Sequence, residues 1–96
     1  MQGISVAGLQ AALASETVVF DLRPAPPADD RIPGALSLRL EDVQAGRLPE
    51  LPKDQPVILV CERGQLSELA GLYLEAAGFQ EVYNLLGGMR AWRQAQ

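Results

Sequence analysis

The chain has 96 residues, 48% hydrophobic and 21% charged, with a net charge of −4, one cysteine and no histidine. That is the composition of one globular domain spanning residues 1–96, and it excludes both an internal disulfide and a zinc site of the usual Cys/His kind. The acidic balance argues against nucleic acid or an anionic membrane as a partner, and no apolar run approaches the ~20 residues that span a bilayer.

In chain order, Ile4 to Leu13 reads as a strand end followed by a helix, with Ser5 as N-cap and Val6, Leu9 and Leu13 as apolar positions. Val18 to Leu22 is a short apolar run rich in β-branched residues and reads as a buried strand. Pro24, Pro26 and Pro27 end it, so the segment from Pro24 to Gly34 is a loop. Ala35 to Leu38 is a second short strand, and Glu41 to Ala45 a brief helical turn stopped by Gly46. Pro56 to Val60 has the continuous apolar pattern of a central parallel strand covered on both faces. Ser67 to Ala77 is a helix, with Leu69, Leu72, Tyr73 and Ala76 on one face at i, i+3, i+4, i+7 spacing and Gly78 as its stop. Glu81 to Leu85 is a last strand, Gly87-Gly88 a turn and Met89 to Gln94 a closing helix. Alternation of strands and helices predicts an α/β fold with a mainly parallel sheet. The first residues, Met1 to Ser5, lack a signal-peptide pattern, and a lone reduced thiol fits a cytoplasmic protein.

Chemistry concentrates where the central strand runs into Cys61-Glu62-Arg63-Gly64-Gln65-Leu66-Ser67. In α/β sheets, ligands bind at the carboxyl ends of strands. Gly64 permits an unusual turn, and a loop curled around the sulfur would aim several backbone N–H groups at one point, with a helix N-terminus behind. Both effects favour a thiolate, the nucleophilic form of cysteine, and no histidine base is then needed. The plain alternative is a small buried core residue. Ser67 is most simply the N-cap of the following helix, with a hydroxyl that can also reach the sulfur. Arg63 is either a solvated loop charge or a contact for an anion. Trp92 and Tyr83 are expected to be core or packing residues.

Several segments together resemble one family. Cys61-x-x-Gly64-x-x-Ser67 is similar to the active-site loop of rhodanese domains, and Asp21-Leu22-Arg23 to the Asp-x-Arg of that family's N-terminal half. Arg31-Ile32-Pro33-Gly34-Ala35 is similar to its His-Ile-Pro-Gly-Ala segment, and Gly87-Gly88-Met89-Arg90-Ala91-Trp92 to its closing Gly-Gly-x-x-x-Trp. Ala77-Gly78-Phe79 with Val82 to Leu85 resembles the helix-turn-strand between them. The resemblance implies a three-layer sandwich, a mainly parallel sheet of about five strands with helices on both faces. It implies a sulfurtransferase that carries sulfur as a Cys61 persulfide, from a small anionic donor such as thiosulfate to cyanide or a thiol. Residues Glu62, Arg63, Gly64, Gln65, Leu66 and Ser67 would form the binding loop, their N–H groups holding the anionic sulfur. Asp21 and Arg23 would brace that loop, and no cofactor is implied.

The chain departs from the family pattern at Leu66, where arginine is common, and at Arg31, where histidine is. The competing functions are a persulfide carrier or regulatory module working with a protein partner and, further off, a cysteine phosphatase or arsenate reductase. The phosphatase pattern places arginine six residues after the cysteine, and Ser67 stands there.

Overall fold

Val57, Leu59 and Cys61 alternate along the chain with Ile58 and Val60, and this period of two divides the interior into two cores. The computed structural model describes residues 1–96. Its elements are β1 (Gln2–Ile4), α1 (Val6–Ala12), β2 (Val18–Asp21), β3 (Leu36–Ser37), α2 (Leu40–Gln44), β4 (Val57–Val60), α3 (Gln65–Ala76), β5 (Val82–Leu85) and α4 (Gly88–Gln94). The strands form one sheet in the order β1-β5-β4-β2-β3, every pair parallel. All four residues of β4 are buried, as the unbroken apolar run requires of a central strand.

Phe20, Val57, Leu59 and Cys61 pack with Val43 of α2, Ala70 and Leu74 of α3, and Phe79. Val19, Ile58 and Val60 pack with Leu9 of α1, Ile32, and Met89 and Trp92 of α4. Thus α2 and α3 cover one face of the sheet and α1 and α4 the other, the three-layer α/β sandwich expected. Ser5 caps α1 through its side chain, which accepts from the Gly8 N–H. Trp92 lies in the second core and Tyr83, half-buried, packs against it, as expected, with the Tyr83 hydroxyl 3.2 Å from Glu81 Oε1. No helix is long and apolar enough to cross a membrane.

The third helix differs from expectation in start and in phase. It begins at Gln65, two residues before Ser67. The face bearing Leu69, Leu72, Tyr73 and Ala76 points to solvent, with the first three 41%, 53% and 40% exposed. The buried stripe is Ser67, Ala70, Gly71 and Leu74, which satisfies the same i, i+3, i+4, i+7 template two residues earlier. Close packing decides the phase. A Cβ on Gly71 would stand 2.1 Å from Met1 Sδ and 3.4 Å from Leu59 Cδ1, so a small residue is needed at that point of the buried stripe, while Leu74 fills the space further along.

The topology makes a crevice beside Cys61. The link from β2 to β3 passes Ile32, in the core on the α1 and α4 side, while β4 leads into α3 on the opposite face. Connections that leave neighbouring strands toward opposite faces open a cleft at their carboxyl ends. Here that cleft lies between Asp21-Leu22-Arg23 and Cys61.

Candidate active site

Cys61 follows β4 by strand parity onto the α3 side and is 3% exposed. Its sulfur accepts the Gly64 N–H at 3.1 Å and the Ser67 N–H at 3.4 Å, with the Ser67 hydroxyl 3.3 Å away. The helix start explains this arrangement. Gly64 is the N-cap of α3, at φ +94, and has no side chain to cap with. An N-cap side chain normally accepts the N–H of the second or third helical residue. The Cys61 sulfur takes that place and accepts from Ser67, the third. Ser67 is therefore not the N-cap but a first-turn donor, because the sulfur itself completes the helix end. The positive φ of Gly64 turns its N–H inward, and a side chain would be strained at that angle.

Of the expected binding loop, Gly64 and Ser67 meet the sulfur. Glu62, Arg63, Gln65 and Leu66 donate no N–H to it; all four line the crevice with Arg23 and Pro24. Arg63 is exposed and pairs with no carboxylate.

The loop is seated from below by α4. The Met89 N–H donates to the Cys61 carbonyl at 2.8 Å and the Arg90 N–H to the Glu62 carbonyl at 3.1 Å. Gly88 allows this approach, since a Cβ there would lie 2.3 Å from the Cys61 carbonyl oxygen.

A chain of ion pairs surrounds the loop from outside. Asp21 is 1% exposed and accepts from the Arg23 backbone N–H and guanidinium. Arg23 also reaches Asp30 at 3.1 Å, Arg93 holds Asp30 at 2.6 Å, and Arg93 holds Glu62 at 2.5 Å. By hydrogen bonds, Asp21 and Arg23 thus reach the loop through Asp30 and Arg93. Hydrogen bonding from Arg93 holds the carboxyls of Glu62 and Asp30 below their ordinary range, and the two carboxylates raise Arg93 in return. Hydrogen bonding to Asp21 raises Arg23, against the opposing effect of burial.

Sequence reasoning missed Asn84, Gly88, Asp30 and Arg93. Asn84 carries a readable signal: it is a polar residue at a buried strand position, beside Leu59 in register.

The sequence and the fold both have counterparts among known proteins. The rhodanese-like domain model matches residues 5–95. The chain belongs to the rhodanese-like domain family. It is 38% identical over 94 residues to the thiosulfate sulfurtransferase GlpE of Pseudoalteromonas translucida, covering 96% of this chain and 89% of that protein. It is 34% identical over 61 residues to the putative sulfur carrier protein YrkF of Bacillus subtilis, covering 64% of this chain and 32% of that protein. A solved rhodanese homologue from Thermus thermophilus superposes with a TM-score of 0.78 at 39% identity, covering 95% of this chain and all of that one. As a rhodanese-like domain with sulfurtransferase relatives, the chain shares their α/β sandwich; Cys61 is its one cysteine.

Proposed function

We propose that this rhodanese-like protein is a sulfurtransferase that moves a sulfane sulfur from a small anionic donor such as thiosulfate to cyanide or a thiol through a Cys61 persulfide. The observation that carries the reading is the sulfur itself, with two N–H groups and a hydroxyl around it at the end of the central strand. These donors are placed to hydrogen-bond a sulfur that carries negative charge in the reaction.

The steps balance simply. The Cys61 thiolate attacks the outer sulfur of thiosulfate, the new S–S bond forms, the donor's S–S bond breaks, and sulfite leaves with the electron pair. An acceptor nucleophile then attacks the outer persulfide sulfur, and Cys61 departs as thiolate. The Gly64 and Ser67 donors would stabilise the negative sulfur at both ends of the cycle. Asp21 and Arg23 brace the crevice through Asp30 and Arg93 rather than touching the donor, since Arg23 is already bonded to two carboxylates.

A second reading is a persulfide carrier that works with a protein partner, and one observation favours it. Leu66 brings no charge to the crevice, so Arg63 is the cation free to meet a small anion. Intact mass after excess thiosulfate, and again after cyanide, tests both readings. Gain of one sulfur atom, removed by cyanide and absent in Cys61→Ala, supports the cycle. Absence of any gain removes thiosulfate as donor. Slow thiosulfate–cyanide turnover with fast exchange onto a protein thiol selects the carrier.

A further inference from the structure

Asn84 is 7% exposed in a strand whose other residues, Val82, Tyr83 and Leu85, are apolar or aromatic. Its direction follows from register. It pairs with Leu59 in the parallel β4–β5 ladder, so it shares the face of Leu59 and of Cys61 two residues further on. The amide fits in one orientation only. The Gly64 carbonyl can only accept, so the atom 3.0 Å from it is Nδ2, donating. Oδ1 then faces Ser67 and can only accept, so the Ser67 hydroxyl donates to it at 2.5 Å. Asn84 forms no hydrogen bond with the sulfur. It grips instead Gly64 and Ser67, the two residues that supply the hydrogen-bond donors around Sγ.

We propose that Asn84 is the positioning residue of this site: one amide on the rigid sheet holds the Gly64 carbonyl and the Ser67 hydroxyl, and so aims both residues at Cys61. A buried donor set is effective only when its own geometry is fixed by neighbouring hydrogen bonds. The Ser67 hydroxyl carries one proton and has two acceptors in reach. While it donates to Oδ1, its lone pair faces the sulfur and can accept the thiol S–H. Once the thiol has lost its proton to solvent, the hydroxyl proton can turn to the sulfur. The bond from Nδ2 to Gly64 holds the amide in place through that change.

The inference rests on Cys61 as the reacting atom but not on the identity of any sulfur donor. Its test is therefore alkylation of Cys61 by iodoacetamide and the ultraviolet absorbance of the thiolate, at one neutral pH, with thermal melts alongside. Asn84→Ala is expected to slow alkylation about tenfold, the scale of losing one well-aimed Gly64 or Ser67 donor at a charged sulfur, and to lower the thiolate absorbance in step. Ser67→Ala should slow it as well. The double variant should lose less than the product of the two effects, because Asn84 acts partly through Ser67. If Asn84→Ala does not fold, Asn84→Leu carries the same test at nearly the same size without an amide. A lower melting temperature with wild-type alkylation would make Asn84 a packing residue and overturn the proposal; so would effects that simply multiply. Failure of sulfur transfer in the wild type, with the alkylation pattern intact, would remove the proposed function and leave this inference standing.

Discussion

The Cys61 loop is held differently on its two sides. Beneath it lie neutral, buried groups: the Gly64 and Ser67 N–H donors, the Ser67 hydroxyl, the Asn84 amide and the first turn of α4. Around it runs a charged chain, Asp21–Arg23–Asp30–Arg93–Glu62, that grows more exposed from Asp21 to Glu62. Neutral donors in a dry setting act on the sulfur at short range and are little affected by salt. The charged chain acts on the position of the loop, and its outer members are open to screening. Chemistry is thus assigned to one side and support to the other, and the two should fail differently.

The largest effect separates the sulfur from everything that holds it. In the proposed cycle, Cys61→Ala abolishes transfer while circular dichroism and thermal melting show the fold retained. Alanine leaves a small void and removes the acceptor that caps α3, so stability should fall by about 0.5–2 kcal/mol without loss of the fold. Full transfer in this variant would sink the persulfide mechanism.

Next comes the inner seat. Gly88→Ala forces a Cβ to within 2.3 Å of the Cys61 carbonyl and 2.7 Å of the Glu62 carbonyl, at φ +59. Backbone atoms cannot yield as a flexible side chain would. Strain and overlap together should cost about 2–4 kcal/mol in a denaturant melt and most of the activity. A smaller effect is expected of Arg63→Ala. It removes the unpaired cation at the crevice, so KM for thiosulfate should rise about fivefold with kcat nearly unchanged, the pattern of lost uniform binding. An unchanged KM would make Arg63 a solvated loop charge.

Much of this arrangement was legible from residue pattern. The run Val57 to Val60 identified the central strand and placed Cys61 at its carboxyl end, and the spread of short motifs identified the family. What escaped depended on three-dimensional juxtaposition. The hydrophobic pattern gives the wrong phase for α3 because large apolar residues outweigh small ones in it, whereas close packing on the buried side favours Ala70 and Gly71 for their size. Ser67 read as an N-cap because no local rule anticipates a sulfur from the preceding strand in that place. Asn84 and Arg93 lie 23 and 32 residues beyond Cys61, too distant in sequence for local spacing to connect them. Asn84 alone left a trace, as a polar side chain at a buried strand position.

The smallest effects should come from the outer chain. Arg93→Ala frees Glu62 beside the sulfur and unties Asp30, so turnover should fall about two- to threefold, with high salt producing a similar loss in the wild type and little further loss in the variant. Acid supplies the same test without a mutation. Glu62 and Asp30 titrate lower when folded than their ordinary values of 4.5 and 3.8. Folding therefore gains stability from them above those values, and that gain is lost as pH falls through the lower folded ones. The wild type should lose melting temperature below about pH 4 faster than Arg93→Ala, whose Glu62 and Asp30 no longer have that partner. Inner-side variants such as Asn84→Ala should keep the wild-type acid slope, since they leave Arg93 and its carboxylates intact. Parallel acid curves for the wild type and Arg93→Ala would show that the charged chain contributes nothing to support, and the division between the two sides of the loop would collapse onto the inner one.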